Sequence, residues 1–365
     1  MELNQPAVQK ISKFQLAKDI MKIAIPGMIA SMSFGLVEAM NLMFMGQFGD
    51  PTLVAGVGLG NVYIMIFGIL TICGLNAILS TLITNILLMA IFISLEKDLK
   101  EAFFWPNRQS FNGLWEYVKL ALPSMLLWSI FSWAYQIQTI IISTVSNDLA
   151  AAQSIIHNMI FLLYMMTVGL TISSSALIGK SIGSNNIPQG KDVLRVLSMI
   201  GVSLGIIQWF TIQYFGKYLT SVFTNDENIQ QIIGNVTYLI SLNTFFGCTS
   251  GWLVGVIRGL GILKQATAGI FVFFYIIGLP LQCYLLFCLE LGITAIWGGI
   301  LVSQILCTIY YIFLIFFLSD WNQIASESIQ RSENEKLQKQ KNDIANDDKQ
   351  NQINDMLIPA KLINS

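Results

Sequence analysis

The chain has 365 residues, of which 54% are hydrophobic and only 11% are charged. A soluble protein carries about 25% charged residues, so this composition excludes an ordinary soluble domain and indicates an integral membrane protein. The net charge of −1 does not indicate any class of partner. The sequence has neither a basic face nor a base-recognition motif that would support a nucleic-acid partner. No nucleophile–base pair and no Cys/His metal spacing is present in the sequence, so we expect neither an enzyme nor a bound cofactor.

Uncharged stretches of about 20 residues, the length that crosses a bilayer, mark the membrane spans. A polar N-terminus, 1–22, precedes the first of them and does not resemble a cleavable signal. The spans are predicted at 23–46, within 51–95, and at 120–147, 149–179, 196–216, 228–257, 265–289 and 291–319. Lipid cannot satisfy an open backbone, so we predict an all-α polytopic membrane protein with about eight or nine transmembrane helices.

Lysine and arginine residues are concentrated in alternate loops. They accumulate in 1–22, 96–119, 180–195, 258–264 and 320–365. The positive-inside rule places these segments in the cytoplasm, and with them both chain termini. The tail, 320–365, is polar and poor in aromatic residues, and we expect it to be disordered, with a weak helical pattern over 326–341 as the alternative. The sequence does not choose between the plasma membrane and an internal vacuolar or vesicular membrane.

The uncharged stretch 51–95 conflicts with this topology. It must cross once to return 96–119 to the cytoplasm, yet a single helix of this length would be about 67 Å long, over twice the hydrocarbon thickness. An internal repeat also indicates that the first part of the chain has too few helices. The segment Lys22-Ile-Ala-Ile-Pro26 matches Lys119-Leu-Ala-Leu-Pro123. Six spans are counted from the second copy onward, including the span that this copy begins, whereas the stretch that starts at the first copy has room for about three fewer.

Several separated motifs resemble the multidrug and toxin extrusion (MATE) transporters. They are Pro26 with Gln47–Gly49 in the first helix, Leu53–Asn61 in the second, Lys119–Ser124 with Trp133 in the seventh, Gly169–Gly183 in the eighth, and Gly255–Gly261 with Gln265, Tyr275 and Gly278–Pro280 in the tenth and eleventh. A closing Asp320-Trp321 also fits the family. The resemblance covers nearly the whole membrane region.

The resemblance implies a fold of twelve helices in two six-helix lobes, here with an incomplete N-lobe. In this interpretation 23–95 is a truncated N-lobe that holds helices one, two and a fused sixth, joined near Leu82. The segment 96–119 is the cytoplasmic loop between the lobes, and 120–319 is a complete C-lobe. Helices three to five are then absent, which accounts for the topology conflict in 51–95.

Glu38 is the first candidate for a coupling or substrate-binding residue. It is the only Asp or Glu well inside a hydrophobic span, and an ionisable group there is a functional hypothesis by default. The alternative is a protonated side chain that hydrogen-bonds a neighbouring helix. Asn41 lies on the same helical face, where the resemblance implies an Asp in many prokaryotic relatives. Asn41 either contacts a ligand or Na⁺, or forms an interhelical hydrogen bond.

The seventh helix departs from the family pattern. Animal and plant relatives are expected to carry two glutamates at positions that correspond to Phe131 and Gln136, so proton coupling in the C-lobe is in doubt. Gln136 is a candidate substrate contact or a structural amide. The aromatic residues Trp128, Phe131, Trp133 and Tyr135 favour either cation–π contacts to a cationic substrate or simple packing.

Three further polar residues complete the candidate set. His157, the only histidine, either titrates near neutral pH or is a structural residue near a helix end. Asn61 and Asn158 occupy equivalent positions of the internal repeat.

Three prolines and two basic residues have simpler interpretations. Pro26, Pro123 and Pro280 predict helix kinks, which serve either alternating access or structure alone. Arg258 and Lys264 are interpreted as cytoplasmic anchors.

The resemblance implies a secondary antiporter that exports small organic cations in exchange for H⁺ or Na⁺ by alternating access in the lipid bilayer. An alternative stays open. A chain without helices three to five is also consistent with a transport-incompetent membrane protein or a misjoined gene model. The sequence determines neither the substrate, nor the coupling ion, nor the oligomeric state.

Overall fold

The computed structural model describes residues 12–46, 114–330 and 333, and within these ranges the chain forms helices and no strand. The long helices are α1 (Lys13–Gly46), α2 (Leu114–Ser143), α3 (Asn147–Gly183), α4 (Ile187–Phe223), α5 (Glu227–Leu260), α6 (Leu263–Cys288) and α7 (Ile293–Leu318). Of these, α3 to α7 are both long and apolar enough to cross a membrane. The predicted all-α polytopic fold is therefore confirmed.

Short polar turns with capping side chains separate these helices. The Asn186 side chain accepts a hydrogen bond from the Gln189 backbone N–H at 3.2 Å, and Asp226 accepts from the N–H of Asn228 at 2.8 Å. Gly261 ends α5 in the left-handed region, with a φ of 77°. The loop predicted at 180–195 is only three residues long, 184–186. The first residues of α4 include polar and charged side chains, so hydropathy alone did not assign them to a helix.

The closest packing of the bundle joins α3 and α5. Gly251, Gly255 and Gly259 recur every fourth residue and place one face of α5 directly on α3. A methyl group at Gly255 would overlap the Thr171 carbonyl oxygen. The Thr171 hydroxyl donates to the Gly251 carbonyl oxygen at 3.0 Å. Small residues at this spacing let two helix backbones approach, so α3 and α5 form a tightly packed pair.

Helix α1 docks on α3 and α4. Its buried stripe runs through Leu16, Ile20 and Ala24, one turn apart. It crosses α3 at Gly169, where an added methyl group would overlap the Ala24 carbonyl oxygen. We call this contact the Gly169 crossing. The first helix is thus held to the later bundle through backbone contact.

Helices α2, α6 and α7 close the other side of the bundle. The Tyr275 hydroxyl of α6 donates to the Ile130 carbonyl oxygen of α2 at 2.7 Å. The Gln304 Nε2 of α7 donates to the Ser250 hydroxyl of α5 at 2.5 Å. Two segments of α6, Phe271–Gly278 and Tyr284–Cys288, are π-helical. Such segments are rare and widen the helix locally.

A short helix, α8, occupies 321–330, at the start of the polar tail. The Trp321 side chain is only 6% exposed, and its indole N–H donates to the Ile315 carbonyl oxygen at 3.3 Å. The Asp320 carboxylate caps the new helix by accepting from the Asn322 N–H at 2.9 Å. The polar composition did not reveal this order because one buried tryptophan is enough to anchor a short segment. Apart from residue 333, the rest of the tail lies outside the described residues.

Candidate functional site

A cavity of about 360 Å³ lies inside the bundle, between α2, α3, α5, α6 and α7. We call it the C-lobe cavity. One part of its wall is aromatic and aliphatic and consists of Phe131, Tyr164, Val168, Ile172, Val254, Ile270 and Tyr311. The polar part consists of Thr171, Ser250, Arg258 and Gln304, and Gly251 and Cys307 complete the lining. Its size and mixed lining are those of a pocket for a small organic molecule.

Phe131 connects the cavity to a wider group of aromatic rings. Its ring centroid lies 6.3 Å from that of Tyr164, 5.6 Å from that of Phe274 and 5.2 Å from that of Tyr135. Tyr135 in turn lies 6.1 Å from the His157 ring. Rings at these distances pack favourably and hold α2, α3 and α6 together.

Most hydroxyl groups of the polar wall already have acceptors. Thr171 donates to the carbonyl oxygens of Thr167 and Gly251, each at 3.0 Å. Ser250 donates to the Gly247 carbonyl oxygen at 3.1 Å. Gln304 is fully buried, and its Oε1 atom has no hydrogen-bond partner. The wall therefore presents a free acceptor at Gln304.

Arg258 is the residue whose position differs most from its sequence interpretation. We expected a cytoplasmic anchor, but its side chain lines the C-lobe cavity, and its Nε atom is buried without a hydrogen-bond partner. Within the described ranges, the ion pair found joins Arg195 to Asp192 at 2.7 Å, far along the chain from Arg258. The described cavity lining contains no Asp or Glu, so Arg258 makes this cavity electropositive.

The predicted polar residues of α2 and α3 lie elsewhere. Gln136 and Asn158 are buried, and the Asn158 amide donates to the Ser154 carbonyl oxygen of its own helix at 3.0 Å. The His157 ring lies between Tyr135 and Phe161, 6.1 and 6.2 Å away. Gln136, His157 and Asn158 are absent from the C-lobe cavity lining, so the structure does not gather them there. Their functional roles stay predictions.

The structure gives few or no contacts for the other predicted positions. Asn61 lies outside the described residues, as do the side chains of Glu38, Asn41 and Pro123. Pro26 lies inside α1, which continues from Lys13 to Gly46. Pro280 stands in the short α-helical segment between the two π-helical parts of α6. A role for these prolines in helix bending stays a prediction.

No group of three or more His, Cys, Asp and Glu side chains that could hold a metal ion occurs in the part of the chain that the structure describes. The four cysteines described there, Cys248, Cys283, Cys288 and Cys307, are free thiols.

These features define the class: a multi-pass α-helical membrane protein with a ligand-sized cavity within its bundle. Residues 123–284 match the family model MatE. The chain is 30% identical over 222 residues to multidrug and toxin extrusion protein 1 of Xenopus tropicalis, a match that covers 61% of this chain and 38% of that protein. It is 29% identical over 253 residues to multidrug and toxin extrusion protein 2 of Homo sapiens, which covers 69% of this chain and 42% of that protein.

Solved structures show the same fold. The crystal structure of the eukaryotic MATE transporter AtDTX14 superposes with a TM-score of 0.62 at 16% identity, over 87% of this chain and 83% of that one. An inward-facing multidrug resistance MATE family transporter superposes with a TM-score of 0.51, also at 16% identity, over 77% and 64%. Over residues 123–284 the chain is therefore similar to the MATE family, and it shares the fold of MATE transporters, as its motifs predicted. Its matches span about two-fifths of the length of the curated relatives.

Proposed function

We propose that the protein is a secondary antiporter that exports small organic molecules, organic cations among them, in exchange for H⁺ or Na⁺. The observation that carries this proposal is the C-lobe cavity, which lies within a membrane bundle of MATE fold and has the size of a small organic molecule. Alternating access would expose such a chamber to the two sides of the membrane in turn. The basic loops favour cytoplasmic termini, in the plasma membrane or in an internal membrane.

Glu38 is the coupling residue of this proposal. The described cavity lining has no carboxylate, so a cation and its coupling ion need one from another element. Helix α1, which carries Glu38, contacts α3 at the Gly169 crossing. Val168 and Thr171 of the same α3 segment line the cavity. Protonation of Glu38 would therefore act on a helix that is in direct contact with the cavity wall.

Transport by the full chain in proteoliposomes tests this proposal. We expect uptake of radiolabelled tetraethylammonium when an outwardly directed proton or Na⁺ gradient is imposed. Glu38→Gln should lower the gradient-driven rate at least about tenfold, because the amide cannot exchange a proton and an ionisable group inside a membrane is the usual coupling element. Glu227→Gln, at the start of α5, removes a carboxylate outside the hydrophobic run and serves as the matched control.

Gradient-driven transport that survives Glu38→Gln would overturn the coupling assignment. The rival proposal, a transport-incompetent protein or a misjoined gene model, draws on the short coverage of the relatives. Wild-type protein that is folded and monodisperse but does not transport would support that rival. Sequencing the transcript across codons 75–90 separates its two forms, since a misjoined gene model requires a longer message with about three more helices.

A further inference from the structure

We propose that the C-lobe cavity binds an amphipathic organic anion that also carries a hydrogen-bond donor. The carboxylate or sulfate of this molecule pairs with Arg258, and its N–H or O–H group donates to Gln304 Oε1. The inference rests on the proposed function, which it deepens by naming the chemical class of one substrate. It differs from the cation expectation because the described cavity carries a positive charge.

Arg258 supplies the anion-binding half of the site. Its guanidinium presents a planar fork of hydrogen-bond donors. The Nε atom is buried without a partner at the cavity wall, and a buried donor without an acceptor is energetically unfavourable. Arg258 lies in the last turn of α5, where the helix dipole favours a cation. The helix nevertheless provides no acceptor for the Arg258 Nε–H. A carboxylate or sulfate would satisfy it with a charge-assisted hydrogen bond.

A simple anchor role does not explain this arrangement. An anchoring arginine extends its head group into water at the membrane surface. Arg258 is half-buried: its Nε atom is buried, and its side chain lines a cavity that Phe131, Tyr164 and Ile270 also line. The buried Nε–H lacks an acceptor, and an anionic ligand in the cavity would supply one.

Gln304 supplies the complementary half. The residue is fully buried, and its Nε2 atom already donates to the Ser250 hydroxyl at 2.5 Å. That contact fixes the orientation of the amide and leaves Oε1 as an acceptor without a donor. The hydroxyls of Thr171 and Ser250 donate to backbone carbonyls, so they do not fill this need. A ligand with one N–H or O–H group would donate the missing hydrogen bond to Gln304 Oε1.

The apolar wall determines the body of the ligand. Phe131, Val168, Ile172, Val254 and Ile270 surround the remaining space. A volume of about 360 Å³ accommodates an aryl or alkyl group of drug-like size. A purely cationic molecule would face the Arg258 charge with no carboxylate among the described lining residues. Charge complementarity therefore selects an anionic group with an apolar body.

Tritiated p-aminohippurate is a suitable probe, because it combines a carboxylate, an amide N–H and an aromatic ring. Saturable binding would be measured on the full chain in lipid nanodiscs. Arg258→Gln should weaken binding at least about tenfold through loss of the charge-assisted bond. Arg258→Lys keeps the charge without the planar fork and should give an intermediate affinity. Gln304→Met, which removes the acceptor, should weaken binding by about fivefold.

Two further variants keep the test independent of folding defects. Arg195→Gln removes the same charge from an exposed ion pair outside the cavity and should bind like the wild type. Val254→Phe fills the chamber without changing its charge and should abolish binding. Monodispersity and the melting temperature of each variant are measured in parallel.

The outcomes separate this inference from the proposed function. Equal affinity in wild type and Arg258→Gln, or no saturable binding to wild type that transports tetraethylammonium, overturns the anion site and leaves the antiporter proposal intact. Arg258-dependent binding by protein that shows no gradient-driven transport supports the anion site and overturns the antiporter proposal.

Discussion

Two neighbouring residues of α3 have opposite surroundings. At Gly169 the backbones of α1 and α3 touch, so that one added methyl group would overlap the Ala24 carbonyl oxygen. At Val168 the same helix borders the C-lobe cavity of about 360 Å³. Successive residues of an α-helix point about 100° apart, so a single helix can take part in both environments.

The difference shows how this bundle combines a fixed contact with an open chamber. Where small residues meet, as at the Gly169 crossing, the two helix backbones are in contact and no ligand can enter between them. Where Phe131 and Tyr164 hold the helices apart, the space between them is large enough for a ligand. Helix α3 therefore links α1, with its predicted coupling residue, to the cavity wall.

The largest expected effect comes from breaking the crossing. Gly169→Ala should destabilise the protein by about 2–3 kcal/mol, because the new methyl group meets backbone atoms of α1 that cannot rotate away. Thermal melting in detergent, followed by size-exclusion chromatography, measures the loss. Gly247→Ala in α5 is the matched control, since a methyl group there has no neighbouring atom within 4 Å. A melting temperature for Gly169→Ala as high as that of the control would contradict the close crossing.

An intermediate effect is expected at the edge of the cavity. Tyr275→Phe removes the hydroxyl that donates to the Ile130 carbonyl oxygen at 2.7 Å, and it should cost about 1 kcal/mol. Hydrogen exchange should rise in α2 around residue 130, because this bond ties α2 to α6. Tyr284→Phe removes an exposed hydroxyl from the same helix and provides the comparison. Unchanged exchange in α2 would show that ring packing alone holds it.

The smallest effect is expected on the cavity side of α3. Val168→Leu adds one carbon, as Gly169→Ala does, but the added carbon extends toward open space. We expect a change in stability within about 0.5 kcal/mol. The same melting experiment checks this, and a loss as large as that of Gly169→Ala would mean that the cavity wall is already closely packed.

Much of the architecture could be predicted from the sequence. Uncharged runs located the helices, and the separated motifs around Lys119–Ser124 and Gly255–Gly261 indicated the resemblance to the MATE family. Helix ends were less predictable, because α4 begins at Ile187 in a charged segment. Hydropathy reports the part of a helix that lies in lipid, whereas capping side chains such as Asn186 determine where the helix begins.

The candidate site was less predictable. Phe131 was singled out because of its aromatic neighbours, and it does line the cavity. Arg258 and Gln304 were missed as site residues, although Arg258 stands directly after an apolar run. No spacing rule states that a basic residue in a last turn faces inward. That depends on the glycines of α5, which bring its inner face against α3.

The sequence by itself determined that this is a helical membrane protein that resembles the MATE family, because hydropathy, charge distribution and local motifs are properties of short segments. Only the tertiary structure decided that α1 crosses α3 at Gly169, that Trp321 orders the start of the tail, and that Arg258 and Gln304 share a cavity. The physical reason is that lipid provides no hydrophobic drive between helices. Which faces meet is then decided by close packing and by polar contacts between residues far apart in the chain.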